Sequence, residues 1–151
     1  MKLQNEIALE SDINTVWSAL NDPVMLRDCI PGCQSLEATE EGGFNATARI
    51  KVGPIAANFS GSVVLSELDP PNGYRISGSG NGGVAGMAKG GAVVRLHETP
   101  SGTLLSYEVD AQVSGKIAQL GSRLVEGVAK RTAAEFFSNF AERLPSYSPA
   151  R

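Results

Sequence analysis

The 151 residues include one histidine, one tryptophan and two cysteines, and each scarcity closes off a kind of chemistry. A structural zinc site takes about four ligands. Cys29, Cys33 and a distant His97 leave that set incomplete, so no metal and no other cofactor is expected. The two cysteines flank Pro31-Gly32 and read as ordinary reduced thiols. His97 precedes Glu98, but neighbours on a strand point to opposite faces, and no nucleophile accompanies them. His97 therefore reads as an exposed residue near a strand end, and no catalytic residue is assigned. Basic residues are also in deficit, 13 Lys and Arg against 16 Asp and Glu, for a net charge of −3. Nucleic-acid binding normally needs a basic surplus, so that partner is excluded. No stretch approaches the ~18 apolar residues of a membrane span. Met1 to Glu6 is polar where a secretory signal would be apolar, so the chain reads as cytoplasmic.

What is present is enough apolar material for one core: 42% hydrophobic against 19% charged residues, in a length suited to a single domain. Leu3, Asn5, Ile7 and Leu9 alternate with polar residues, the period of a strand with one covered face. Ser11 or Asp12 can cap a helix carrying Ile13, Val16, Trp17 and Leu20, and Asp22-Pro23 opens a second short helix that Pro31-Gly32 stops. Between residues 34 and 114, alternating runs separated by Gly53-Pro54 and by Asp69 to Gly73 predict further strands, with no helical crossover. About seven strands in an antiparallel sheet result.

Residues 116 to 144 have the longest helical period, with Ile117, Leu120, Leu124 and Val128 on one face and Phe136, Phe137 and Phe140 continuing it until Pro145. The domain is therefore set at residues 1–145, followed by a short polar tail, 146–151, expected to fray. Gly121 falls inside the predicted helix on its apolar face. An interior helical glycine costs about 1 kcal/mol relative to alanine, so its missing side chain is expected to serve packing or to leave room beside Leu120 and Leu124. Lys116, Arg123 and Lys130 recur every seven residues, which predicts one basic stripe. It reads as a solvated face or as a docking surface for an acidic partner.

Gly78, Gly80 and Gly83 satisfy the dinucleotide fingerprint G-x-G-x-x-G in spelling, but the next segment is strand-like and glycine-rich, whereas a phosphate cradle needs a helix there. Tight turns and close backbone approach explain these glycines better, and with Gly86, Gly90 and Gly91 they suggest a rim or entrance around Val84 and Met87.

The order strand, two short helices, antiparallel sheet, long C-terminal helix resembles the α+β helix-grip fold, START-like or Bet v 1-like, of the SRPBCC superfamily. Local text narrows the resemblance to the CoxG family, the G subunit of carbon monoxide dehydrogenase: Pro23-Val24 with Ile30-Pro31-Gly32-Cys33, then Lys51-Val52-Gly53-Pro54-Ile55, then Gly115-Lys116-Ile117-Ala118-Gln119-Leu120-Gly121. The resemblance implies a sheet wrapped around the long helix with an elongated apolar cavity between them. It further implies a non-catalytic accessory to a molybdenum-containing dehydrogenase, peripheral at the inner face of the membrane. Relatives often extend into a membrane-binding segment, and attachment through such a tail is not expected of a sequence that ends at Arg151.

On that resemblance, Trp17, Met25, Leu26, Phe59, Met87, Tyr107, Leu120, Gly121 and Leu124 become candidate cavity-lining residues for a hydrophobic ligand. A quinone suits a dehydrogenase that must pass electrons onward, and a lipid is the other ligand considered. Two other readings stay open, a START-family cyclase or hydrolase acting on an aromatic or polyketide-like substrate, and a recruitment module without ligand. The oligomeric state is not legible.

Overall fold

Alternation along the strands decides which face of the sheet is covered. In the computed structural model, which describes residues 1–149, the chain runs β1 (Lys2–Leu9), α1 (Ile13–Leu20), α2 (Pro23–Cys29), β2 (Cys33–Ala38), β3 (Gly43–Val52), β4 (Ile55–Asp69), β5 (Gly73–Asn81), β6 (Met87–Thr99), β7 (Gly102–Ser114), α3 (Lys116–Gln119) and α4 (Ser122–Arg143). A 3₁₀ turn at Gly83–Ala85 joins β5 to β6, and another at Leu144–Ser146 follows α4. The seven strands form one curved antiparallel sheet in the order β1-β7-β6-β5-β4-β3-β2. Each strand from β2 to β6 pairs with the next, and β1 closes the far edge against β7, with Ile7 opposite Leu105. This is the helix-grip architecture expected of the sequence.

The short helices form where their signals stand. Asp22 accepts a hydrogen bond from the Val24 N–H (2.9 Å), and Pro23 occupies the first helical position of α2. Asp12 precedes α1 and accepts from the Thr15 hydroxyl, leaving the helix backbone uncapped by its side chain.

Two apolar clusters result. The larger gathers Leu9, Val16, Leu20, Tyr74, Leu96, Leu105 and Phe140 from α1, β1, the central strands and the C-terminal half of α4. The smaller, at the opposite end, joins Val52, Phe59, Ala85, Ile117 and Val125, with Leu120 and Leu124 against it.

Three expectations change. The predicted helix over residues 116 to 144 is two helices, because Gly121 takes φ +98° and ψ 146° and precedes the first turn of α4. The 3.6-residue period survives the break because Ile117, Leu120 and Leu124 all face the smaller cluster on either side of it. Gly121 is therefore not a helix-interior residue: it is exposed, and a Cβ built on it would meet nothing within 4 Å. Its glycine serves the backbone conformation. For the same reason Lys116 lies on α3, apart from Arg123 and Lys130 on α4, and the three do not form one helical stripe. The segment after α4 is also held in part: Leu144 is buried, and Tyr147 donates a hydrogen bond to Asp22 (2.8 Å). Residues 150 and 151 of the expected tail lie outside the described residues.

Candidate functional site

The inward face of the sheet does not fill the space under α4. Where β4 to β7 cross the middle of the sheet, the inward positions carry small side chains that line up through the register. Gly61 pairs with Gly80 and Gly80 with Ala88; two residues along, Val63 pairs with Gly78, Gly78 with Gly90, and Gly90 with Ala111. Val63 apart, two rows of glycine and alanine thus cross the sheet; a Cβ on Gly61, Gly78 or Gly90 would run into the backbone of the neighbouring strand, whereas Gly80 has open space beside it. A cavity of about 530 Å³ lies over them, walled by Leu26 and Ile30 of the α2 region, Leu36 and Phe44 of β2 and β3, and Phe136 and Phe137 of α4. Ile76, Leu65 and Phe136 point toward this hollow and stay only half-buried. The volume falls within the range of small-molecule pockets.

One polar side chain sits among these walls on the inward phase of its strand. Tyr74 of β5 lines the cavity with only 4% of its surface exposed, and Trp17 stands edge-on behind it (ring centroids 5.4 Å apart, 87° between planes). Burial holds its phenol well above the usual tyrosine range, so it is a neutral hydroxyl at physiological pH. Ser62, Ser79 and Lys89 also border the space, but they occupy the outward phase of their strands and are exposed.

The candidate residues divide by location. Leu26 lines the cavity, Trp17 backs Tyr74, and Met25 is buried in the larger cluster. Tyr107 packs on Phe137 (5.2 Å) and borders a separate groove between β1 and α4. Phe59, Leu120 and Leu124 belong to the smaller cluster, Met87 is 48% exposed, and Gly121 is exposed. Sequence reasoning missed Tyr74, Ile76, Leu36, Phe44, Phe136 and Phe137 as walls. The available signal was the contiguous run of small inward residues, which marks where space is left.

His97 is exposed on β6 opposite Leu104. Cys29 and Cys33 are free thiols whose ionisation burial pushes upward, which makes both poor nucleophiles. Gly78 and Gly80 lie within β5 and Gly83 in the 3₁₀ turn to the antiparallel β6, so no helix N-terminus comes next to hold a phosphate. Among the described residues no group of three or more His, Cys, Asp or Glu side chains converges, and no helix is long and apolar enough to cross a membrane.

Charge is unevenly placed. The β3–β4 turn, the β5–β6 connection, α3 and the start of α4 meet around the smaller cluster. Residues 45–60, 77–92 and 111–125, which build that end, contain Arg49, Lys51, Lys89, Lys116 and Arg123 and no acidic residue. All five bases are exposed, beside Val84 (85% exposed) and Met87. In a chain with a net charge of −3 this is a marked polarity.

The sequence model of the CoxG family, the G subunit of carbon monoxide dehydrogenase, matches residues 6–145. Among solved structures, a conserved protein from Geobacillus kaustophilus is 30% identical, with a TM-score of 0.90 over 97% of this chain and 96% of its own. Two further structures share the fold. Protein CV1439 from Chromobacterium violaceum is 13% identical, with a TM-score of 0.71 over 95% of this chain and 96% of its own. A protein from Rhizobium leguminosarum is 15% identical, with a TM-score of 0.73 over 97% and 95%. No curated protein matches the chain.

Proposed function

Because the chain belongs to the CoxG family of carbon monoxide dehydrogenase, we propose that it is a non-catalytic accessory protein that encloses one apolar small molecule and brings it to a molybdenum-containing dehydrogenase. The observation that carries this reading is the cavity: about 530 Å³ walled by Leu, Ile, Val, Phe, Ala and Gly. Burying about 200 Å² of apolar ligand surface there would contribute roughly 5 kcal/mol before the cost of immobilising the ligand. A quinone or a lipid-derived molecule suits such walls, and a quinone suits a partner that must pass electrons on. The enzymatic alternative needs polar groups converging on a substrate, and among the described residues the inward-facing positions of the cavity offer the Tyr74 hydroxyl alone.

The basic end supplies the second half of the proposal. Five exposed bases, with Glu126 one turn beyond Arg123 as the adjoining acid on α4, favour approach to an acidic surface and raise the rate of encounter. We assign this end to the partner dehydrogenase.

Native mass spectrometry of gently purified protein tests the ligand half. One apolar adduct per chain, released by organic extraction and restored by adding the extract back, is the expected result. A chain that flies bare and takes up nothing from a membrane extract would favour a recruitment module instead.

A further inference from the structure

Tyr74 combines two properties that rarely coexist in an apolar interior: it is almost wholly buried, and its hydroxyl forms no hydrogen bond among the described residues. Buried hydroxyls normally find a partner, because an unpaired one costs about 1–3 kcal/mol. Among the described residues no fully enclosed side-chain nitrogen or oxygen lacks a partner. The Tyr74 oxygen, which has none, is therefore not sealed in protein. It meets open space, and the space that Tyr74 borders is the cavity.

The neighbours fix where that hydroxyl stands. Trp17 holds the phenol ring edge-on, Val94 pairs with Tyr74 across β6, and Leu20, Leu105 and Phe136 wall the same region. None of these offers a side-chain acceptor. A purely hydrocarbon ligand would leave the hydroxyl unpaired and dry, whereas a ligand with a carbonyl or ether oxygen at this end would accept a hydrogen bond from it.

Resting on the reading of the cavity as a ligand site, we propose that Tyr74 is the polarity-selecting residue of that site. The ligand is then an apolar molecule bearing at least one hydrogen-bond acceptor, such as one carbonyl of a quinone, oriented with that acceptor toward β5 and its hydrocarbon toward Leu26, Leu36 and Phe44. Phenylalanine at position 74 would pack as well against Trp17. The hydroxyl's contribution is discrimination against bare hydrocarbon.

Two probes of nearly the same shape, 2-acetylnaphthalene and 2-isopropylnaphthalene, test this by titration of wild type and Tyr74→Phe. Wild type should prefer the ketone by about threefold to tenfold more than Tyr74→Phe does, the range of one net hydrogen bond. The ¹³C resonance of the bound ketone's carbonyl should move downfield in wild type relative to the ketone in hydrocarbon solvent, a readout that does not require the variant to fold. An unchanged preference in a folded Tyr74→Phe variant, or a carbonyl resonance at its hydrocarbon-solvent position, would overturn the assignment while leaving the cavity as an apolar site. Failure of both probes to bind wild type would overturn the site itself and the inference with it.

Discussion

Tyr147 donates a hydrogen bond of 2.8 Å to one carboxylate oxygen of Asp22, and the other oxygen of Asp22 accepts from the Val24 N–H at 2.9 Å. One side chain thus caps α2 and ties the segment after α4 to it. Asn139 strengthens the same junction by donating to the Cys29 carbonyl (3.0 Å). Tyr147→Phe should lower stability by about 1 kcal/mol, the net value of one such bond. Asp22→Ala should cost more, about 1–2 kcal/mol, because the cap is lost too. Urea unfolding of the two variants checks the order; equal losses would mean that the cap contributes nothing.

The Tyr147 phenol is pushed up to about 12, first by burial and then by its hydrogen bond to Asp22 and the charge of that carboxylate. The neutral form is the one favoured in the folded protein. Its contribution is fully present below the ordinary tyrosine value of 10.0 and is lost as pH rises from there toward about 12. Unfolding free energy should fall with pH across that window more steeply in wild type than in Tyr147→Phe. Parallel curves would remove the linkage.

Gly121 gives a test by sign. If it lay in a helix interior, Gly121→Ala would stabilise by up to about 1 kcal/mol. With φ +98° and ψ 146° the backbone is in a region nearly confined to glycine, and substitution should cost about 1–3 kcal/mol. Open space around the missing Cβ removes steric clash as an explanation for any loss. Thermal melting of this single variant decides between the two.

Much of the fold was legible because its signals are local. Phe44, Ala46, Ala48 and Ile50 alternate with polar residues as β3 does in space, and Asp22-Pro23 opens α2 as its cap predicts. The break at Gly121 was hidden because periodicity reports which residues share a face and is silent on a glycine's φ. The cavity walls were hidden for a different reason. A large apolar residue at the right period looks the same whether it touches a neighbour or an empty volume, so Phe59 and Leu124, which close the smaller cluster, could not be told from Ile76 and Phe136, which face the hollow. Distinguishing them requires knowing that Gly78, Gly90 and Ala111 fall in register across three strands.

Charge reversal separates the two parts of the basic set. Replacing Lys89, Lys116 and Arg123 with Glu should weaken binding to the cognate dehydrogenase at least tenfold at low salt and progressively less as salt screens the surface. Folding should be unaffected, since exposed charges contribute little to stability. Lys130→Glu, in the groove between β1 and α4 and outside this set of five, should bind as wild type does. A triple variant that retains full affinity would free this end of any docking role.

If the hollow beside Gly78, Gly80 and Gly90 holds an apolar ligand, Gly80→Val should exclude it. A Cβ at Gly80 would come no closer than 4.0 Å to any atom beyond its chain neighbours, so the branch point of a valine fits there without displacing backbone and its methyls extend over the cavity floor, and its strand propensity should leave stability unchanged or slightly raised. Titration of wild type and Gly80→Val with 2-isopropylnaphthalene, alongside their melting temperatures, is the measurement. Wild type should show one binding site, and the variant, melting no lower, should lose affinity at least tenfold. Equal affinity in the two proteins, or no binding to wild type, would contradict it.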